Sequence, residues 1–141
     1  EPACGAKMRR EGKDLVIVSW GATVHDALSA ARILSERGHD VGVLDLRWLS
    51  PLDDDAIAAA VVSCGRVLVV HEANQTMGFG AEVAARIAER HGPHLKSPVR
   101  RLGTPDTRIP ASPVLQAALL PGAHAIVTAA LSMLEFNRRT Q

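Results

Sequence analysis

The chain has 141 residues, 47% of them hydrophobic, a length and apolar content that suit one compact domain with its own core. Sixteen Lys and Arg against 15 Asp and Glu leave a formal net charge of +1, and the aromatic residues are two Trp and two Phe. Neither a strong phosphate-binding field nor a base-stacking platform is indicated, so nucleic acid is excluded as an expected partner.

Residues 1–6 (EPACGA) carry no periodic pattern and read as a linker remnant, with the domain expected over 7–136 and a basic tail at 137–141. Residues 7–10 (KMRR) and 15–20 (LVIVSW) predict two strands joined by a four-residue turn containing Gly12. That pattern suggests an antiparallel hairpin with the first strand at the sheet edge. Gly21 breaks the second run, and Thr23 with Asp26 suggests a capping box for a helix that Gly38 ends. Its apolar face is Val24, Ala27, Leu28, Ala31 and Leu34. The run VGVLDL (41–46) is of the kind buried on both faces of a parallel sheet.

Ser50 as a cap, acidic residues in the first turn and Gly65 as a stop bracket a second helix. Cys64 lies at its end without a Cys-x-x-Cys partner or a nearby His set, so it reads as a packing residue and no metal site is expected. Cys4 is the other cysteine, and the chain has neither a signal-like segment nor an uninterrupted apolar run of membrane length. A reducing cytoplasm or organelle matrix is therefore expected, with no membrane. RVLVVH (66–71) is a further parallel strand, 80–92 a helix with Val83, Ala84, Ile87 and Ala88 on one face, and VRRL (99–102) another strand. Ser112 and Pro113 open a short helix closed by Pro121, and 123–135 forms a terminal helix with an apolar stripe of Ile126, Val127, Ala130, Leu131 and Leu134. Met133 and Phe136 fall off the centre of that stripe and are expected to be partly exposed.

Strands alternating with helices imply right-handed crossovers and an α/β fold: an open, doubly wound, mostly parallel five-stranded sheet with one antiparallel edge strand. Ligands of such sheets gather at the carboxyl ends of the strands, here 19–21, 45–47, 71–73 and 103–106. His71 and Glu72 stand at such an end, but neighbours in a strand point to opposite faces, so they are not expected to act as an acid–base pair. Gly78-Phe79-Gly80 supplies two glycines of G-x-G-x-x-G, with Val83 in the third place, so the dinucleotide fingerprint fails. What remains there is a helix start that could hold an anion, or glycines needed for close packing. No nucleophile elbow, Walker loop or His-Glu-x-x-His is present.

The ordered set VLDLRWLSPLD, GRVLVVHEA, GFGAEVAARIAE and GTPDTRIP resembles the C-terminal domain of the beta subunit of thiamine-diphosphate-dependent 2-oxo acid dehydrogenase components, a relative of the transketolase C-terminal domain. The likeness covers about 7–136. It implies an assembly domain with no catalytic residue and no cofactor in this chain. Thiamine diphosphate and Mg belong to the full complex, in which an alpha subunit and a second beta subunit form a heterotetramer that meets a lipoyl acyltransferase core. The implied reaction is oxidative decarboxylation of a 2-oxo acid with acyl transfer to lipoyl groups. VSWGATVH and HEA favour a branched-chain substrate slightly over pyruvate.

On this likeness His71, Glu72, Asn74, Gly78, Phe79, Gly80 and Asp106 are candidates for an interface or loop site. Where relatives show Leu-Glu/Asp-Ala-Pro, this chain has Leu95-Lys96-Ser97-Pro98, which brings positive charge to a docking surface. Lys96, Arg100, Arg101, Met133 and Phe136 are the docking candidates. The competing reading is a free-standing anion- or nucleotide-binding module that uses the helix start at Gly78–Gly80.

Overall fold

The computed structural model describes residues 5–136, with the side chain of Phe136 outside the description, so the expectations for residues 1–4, for that side chain and for the tail at 137–141 fall outside the described residues. Five strands form one sheet: β1 (Lys7–Arg10), β2 (Leu15–Ser19), β3 (Val41–Asp45), β4 (Val67–Asn74) and β5 (Arg100–Thr104), in the order β1-β3-β2-β4-β5. All neighbouring pairs are parallel except β1 with β3. The helices are α1 (Thr23–Glu36), α2 (Asp54–Cys64), α3 (Phe79–His91), α4 (Pro113–Leu119) and α5 (Ala123–Phe136).

The period of two along each strand divides the core. Leu15, Ile17, Val41, Val43, Leu68 and Val70 face α1 and α5 on one side. Val16, Val18, Leu44, Val67 and Val69 face α2 and α3 on the other. Every residue of β2 is buried, because helices cover both faces and the strand lies inside the sheet. Burying such a Val or Leu side chain stabilises the fold by about 1.5–3 kcal/mol.

The predicted hairpin does not form. β1 pairs with β3, Lys7 opposite Asp45 and Arg10 opposite Val43, while β2 lies on the other side of β3. The connection wraps round the amino end of β3, where the Lys13 and Asp14 amides both donate to Asp40 O. Two glycines allow that crossing: a Cβ on Gly12 would lie 2.1 Å from Gly42 N. Arg9 closes the other end of the pairing by donating to Asp45 Oδ2 at 2.8 and 3.0 Å.

Two of the proposed helix caps, Thr23 and Ser50, are corrected, while Ser112 stands at the N-cap of α4 without a side-chain bond. Ala22 is the N-cap of α1 and makes no side-chain bond. Thr23 is buried, with its hydroxyl donating to Trp20 O at 2.8 Å, so it serves the end of β2 instead. Asp53, not Ser50, caps α2, accepting from the Ala56 amide at 3.0 Å and from the Ala6 amide at 2.8 Å. Gly65 ends α2 in the left-handed conformation, φ 71°. Arg90 and Arg86 of α3 bind Asp54 at 2.6 and 3.2 Å, and Arg90 above all holds that carboxyl below its ordinary pKa.

Met133 is also corrected, being only 5% exposed. Ile126, Ala130 and Met133 follow the i, i+4, i+7 spacing, so the buried face of α5 is turned toward Met133 and leaves Leu131 and Leu134 half-buried. The stretch Pro113–Glu135 holds an 18-residue window of mean hydropathy 1.7, apolar enough to cross a membrane by length and composition although Gln116, His124, Thr128 and Ser132 interrupt it. It is divided between α4 and α5 at Leu120–Gly122, and α5 spends its apolar face on the core.

Candidate functional site

β2 and β4 lie side by side, but the strand after β2 is placed on one flank and the strand after β4 on the other. The crevice between their carboxyl ends is the topological switch point, where open α/β sheets take their ligands. Here it is filled by side chains. Trp20 at the end of β2 stacks on His71 of β4, with ring centroids 5.4 Å apart and 5° between planes. Phe79, at the start of α3, meets Trp20 edge-on at 5.8 Å and 88°.

Three glycine backbones surround the same imidazole. A Cβ on Gly80 would lie 2.3 Å from both Cδ2 and Nε2 of His71, one on Gly78 2.7 Å from Cε1, and one on Gly103 3.0 Å from Cε1. Gly78 has an ordinary φ of −66°, and Gly80 sits inside α3. These glycines therefore serve close approach rather than turn geometry. His71 is fully buried, and among the described residues neither ring nitrogen has a hydrogen-bond partner. Burial pushes the imidazole pKa below its usual value and the Arg101 guanidinium lowers it further, against a small opposing effect of the Ala73 backbone. That shift favours the neutral form of the enclosed ring.

Glu72 points the other way, into solvent, while its carbonyl accepts from Thr104 Oγ1 at 3.0 Å. The strand continues past the expected end at His71 to Asn74, leaving a loop of residues 75–78. That loop is stitched to the segment after β5. The Gln75 amide donates to Thr104 O at 2.8 Å, and Arg101 Nη1 donates to Gln75 O at 2.6 Å. The Thr76 amide donates to Asp106 Oδ1 at 3.0 Å, and the Thr76 hydroxyl bonds the other carboxylate oxygen. These bonds lower the Asp106 pKa. Asn74 Nδ2 reaches Thr107 O at 3.5 Å. His71, Glu72, Asn74, Gly78, Phe79, Gly80 and Asp106 thus share one end of the sheet, as part of its scaffold.

Of the docking candidates, Arg100 and Met133 line one groove. Lys96 Nζ donates to Cys64 O at 3.1 Å, and its stem covers Gly65, so it caps the C-terminus of α2. Burial raises the pKa of the Cys64 thiol, which donates to Gly12 O at 3.1 Å. Arg100 bonds the Ser132 hydroxyl of α5, Arg101 is engaged with Gln75, and Met133 faces a groove of about 330 Å³ with Pro98 and Val99. The sequence reading missed Trp20 and Gly103 as parts of the site. Each ends a strand beside His71, and the strand-end positions were the available signal.

The chain matches the family model of the transketolase C-terminal domain over residues 5–126. It belongs to the transketolase C-terminal domain family. It is 39% identical over 133 residues to the beta subunit of acetoin:2,6-dichlorophenolindophenol oxidoreductase of Bacillus subtilis, covering 94% of this chain and 39% of that one. It is 42% identical over 131 residues to the pyruvate dehydrogenase E1 component subunit beta of the same species, covering 93% and 40%. This transketolase C-terminal domain therefore spans about two fifths of the length of these curated relatives. Among solved structures, a split-gene transketolase in an inactive beta4 tetramer superposes with TM-score 0.81 at 28% identity, covering 92% of this chain and 42% of that one. A transketolase of Pichia stipitis, at TM-score 0.67 and 16% identity over 94% of this chain and 18% of that one, shares the fold.

Proposed function

We infer that the chain is the C-terminal assembly domain of the beta subunit of a thiamine-diphosphate-dependent 2-oxo acid or acetoin dehydrogenase component, and that it carries no reaction centre of its own. The observation that carries this reading is a likeness to beta subunits over nearly the whole chain, joined to a switch-point crevice filled by Trp20, His71 and glycine backbone. The residues present do not fit thiamine diphosphate with its metal. Rings fill the crevice, and among the described residues no group of three or more His, Cys, Asp or Glu could hold a metal ion. The anion-module reading is not favoured either, because the chain is similar to beta subunits over nearly its whole length and the glycines at 78 and 80 are explained by the approach of His71.

In the longer protein the domain would support a reaction carried elsewhere, with an alpha subunit and a second beta subunit as partners and a lipoyl acyltransferase as the acceptor. The relatives' names favour pyruvate or acetoin. The earlier preference for branched-chain acids rested on short strand-end motifs and draws no support from those names. An assay of the 141-residue chain, and of the longer beta subunit with its alpha subunit, against pyruvate, acetoin and branched-chain 2-oxo acids tests this. The expected result is no turnover by the chain alone and turnover of pyruvate or acetoin by the pair. Thiamine-dependent turnover by the chain alone would overturn the reading.

A further inference from the structure

β5 is an outer strand of the sheet, and its start is thinly covered: Pro98 and Arg100 are exposed, and Ser97 and Val99 only half-buried. The end of α5 comes alongside, where Arg100 Nη1 bonds the Ser132 hydroxyl. Between the two lies an open groove of about 330 Å³ lined by Ser97, Pro98, Val99, Arg100, Ser132 and Met133. Met133 belongs to the core half under α5, and Val99 packs against the half under α2 and α3, so the groove sits where both halves reach the edge of the sheet. Arg100 is level with Leu68, on the amino side of His71 in β4, which places the groove outside the crevice at the carboxyl ends.

A few hundred Å³ of mostly apolar lining with a small number of polar groups is the form that small-molecule sites take. One turn of a partner helix, about 10 Å across and about 5.4 Å long, already exceeds that volume and would only rest across the groove. Arg100 is the one charged residue of the lining, and its bond there goes to a neutral hydroxyl, so no carboxylate of the lining neutralises it. A guanidinium is suited to a carboxylate, which it holds through paired parallel bonds. Ser97 points to the same ligand independently. Its hydroxyl is shut from water and has no partner among the described residues, which is uncommon for a buried polar group. A change of χ1 to another staggered position lets it donate to an acceptor in the groove.

We propose that the groove between the start of β5 and the end of α5 binds a small carboxylate with an unbranched aliphatic tail. The carboxylate lies on Arg100 and the tail lies against Pro98, Val99 and Met133. The anion fixes the orientation, and each methylene removed from water adds to the affinity.

Titration of octanoate into the isotope-labelled 141-residue chain, followed by amide chemical shifts, tests the site. Acetate, 1-octanol and octylammonium are the comparison probes, which lack the tail, lack the charge and reverse its sign. Octanoate is expected to give saturable shifts at residues 97–100 and 132–133, and the other three to bind at least about tenfold more weakly. Arg100→Gln should weaken octanoate at least about tenfold and leave 1-octanol unchanged, while Arg100→Lys keeps part of the preference. Ser132→Phe, which fills the groove from an exposed position on α5, should abolish octanoate binding. Each variant is first required to melt as a folded protein, with leucine replacing phenylalanine at 132 where it does not. Equal binding of octanoate and 1-octanol, wild-type affinity in Arg100→Gln, shifts confined to other residues, or no saturable binding would each overturn the proposal. Shifts at the same residues that follow protein concentration rather than ligand would assign the groove to a second copy and overturn it as well.

Discussion

Gly80→Ala is expected to destabilise the chain by about 3 kcal/mol, at the upper end of what overpacking a filled core costs. Helix propensity alone gives the opposite sign, because Ala is favoured over Gly inside a helix by about 1 kcal/mol. The loss comes from His71, whose Cδ2 and Nε2 would each lie 2.3 Å from the new methyl group. The ring cannot yield readily. Trp20 stacks on it, and Gly78 and Gly103 close on its Cε1 edge. His71→Ala removes the obstacle, so the double variant should lose clearly less than the sum of the single losses, with a coupling of at least about 1 kcal/mol. Urea denaturation of the four proteins measures it. A Gly80→Ala chain as stable as wild type would show that His71 is not held by the glycines.

Gly12→Ala is expected to lose still more, above about 3 kcal/mol, because its Cβ would meet main chain rather than a side chain. Gly42 N would lie at 2.1 Å, Val41 C at 2.4 Å and Gly42 Cα at 2.8 Å. Relief requires the connection between β1 and β2 to lift from the amino end of β3. Hydrogen exchange should then accelerate in the paired residues Lys7–Arg10 before the rest of the sheet responds. Gly92→Ala and Gly122→Ala are the controls. Nothing lies within 4 Å of a Cβ at either position, and both should stay within about 0.5 kcal/mol of wild type.

Gly12 and Gly80 also show which parts of the molecule could be read from the chain. The parallel core was legible because LVIVS and VLVVH are continuous apolar runs separated by helical patterns, a signal local to each segment. The pairing of β1 was not. A short connection favours a hairpin, and only the contact of Gly12 with Gly42, thirty residues apart, shows that the chain wraps β3 instead. The site divides in the same way. His71 was found by its place at a strand end, and Gly78 and Gly80 by their spacing. That these glycines exist to admit the imidazole, with Gly103 closing it from β5 and Trp20 from β2, depends on contacts between distant segments that no local pattern carries. Lys96 shows the same limit. Its charge suggested a partner, and the fold uses it on the last turn of α2.

Burial and contact geometry also separate His71 from Glu72. His71 is fully enclosed, Glu72 faces water, and the peptide between them fixes that opposition. Exposed apolar side chains also follow the carboxyl ends of β4 and β5, at Met77, Ile109, Val114 and Leu115. A crevice filled by its own side chains fits a domain that works by contact with other protein.

The most direct test of that account is the thermal midpoint of the 141-residue chain titrated with thiamine diphosphate and Mg. A ligand bound only by the folded state stabilises it by RT ln(1 + [L]/Kd), about 2.7 kcal/mol at a hundredfold excess over Kd. With the switch point filled by Trp20 and His71, the midpoint should stay flat across the titration. A saturable rise would contradict the account, because it would require an open cofactor site where the structure places packed rings and glycine backbone.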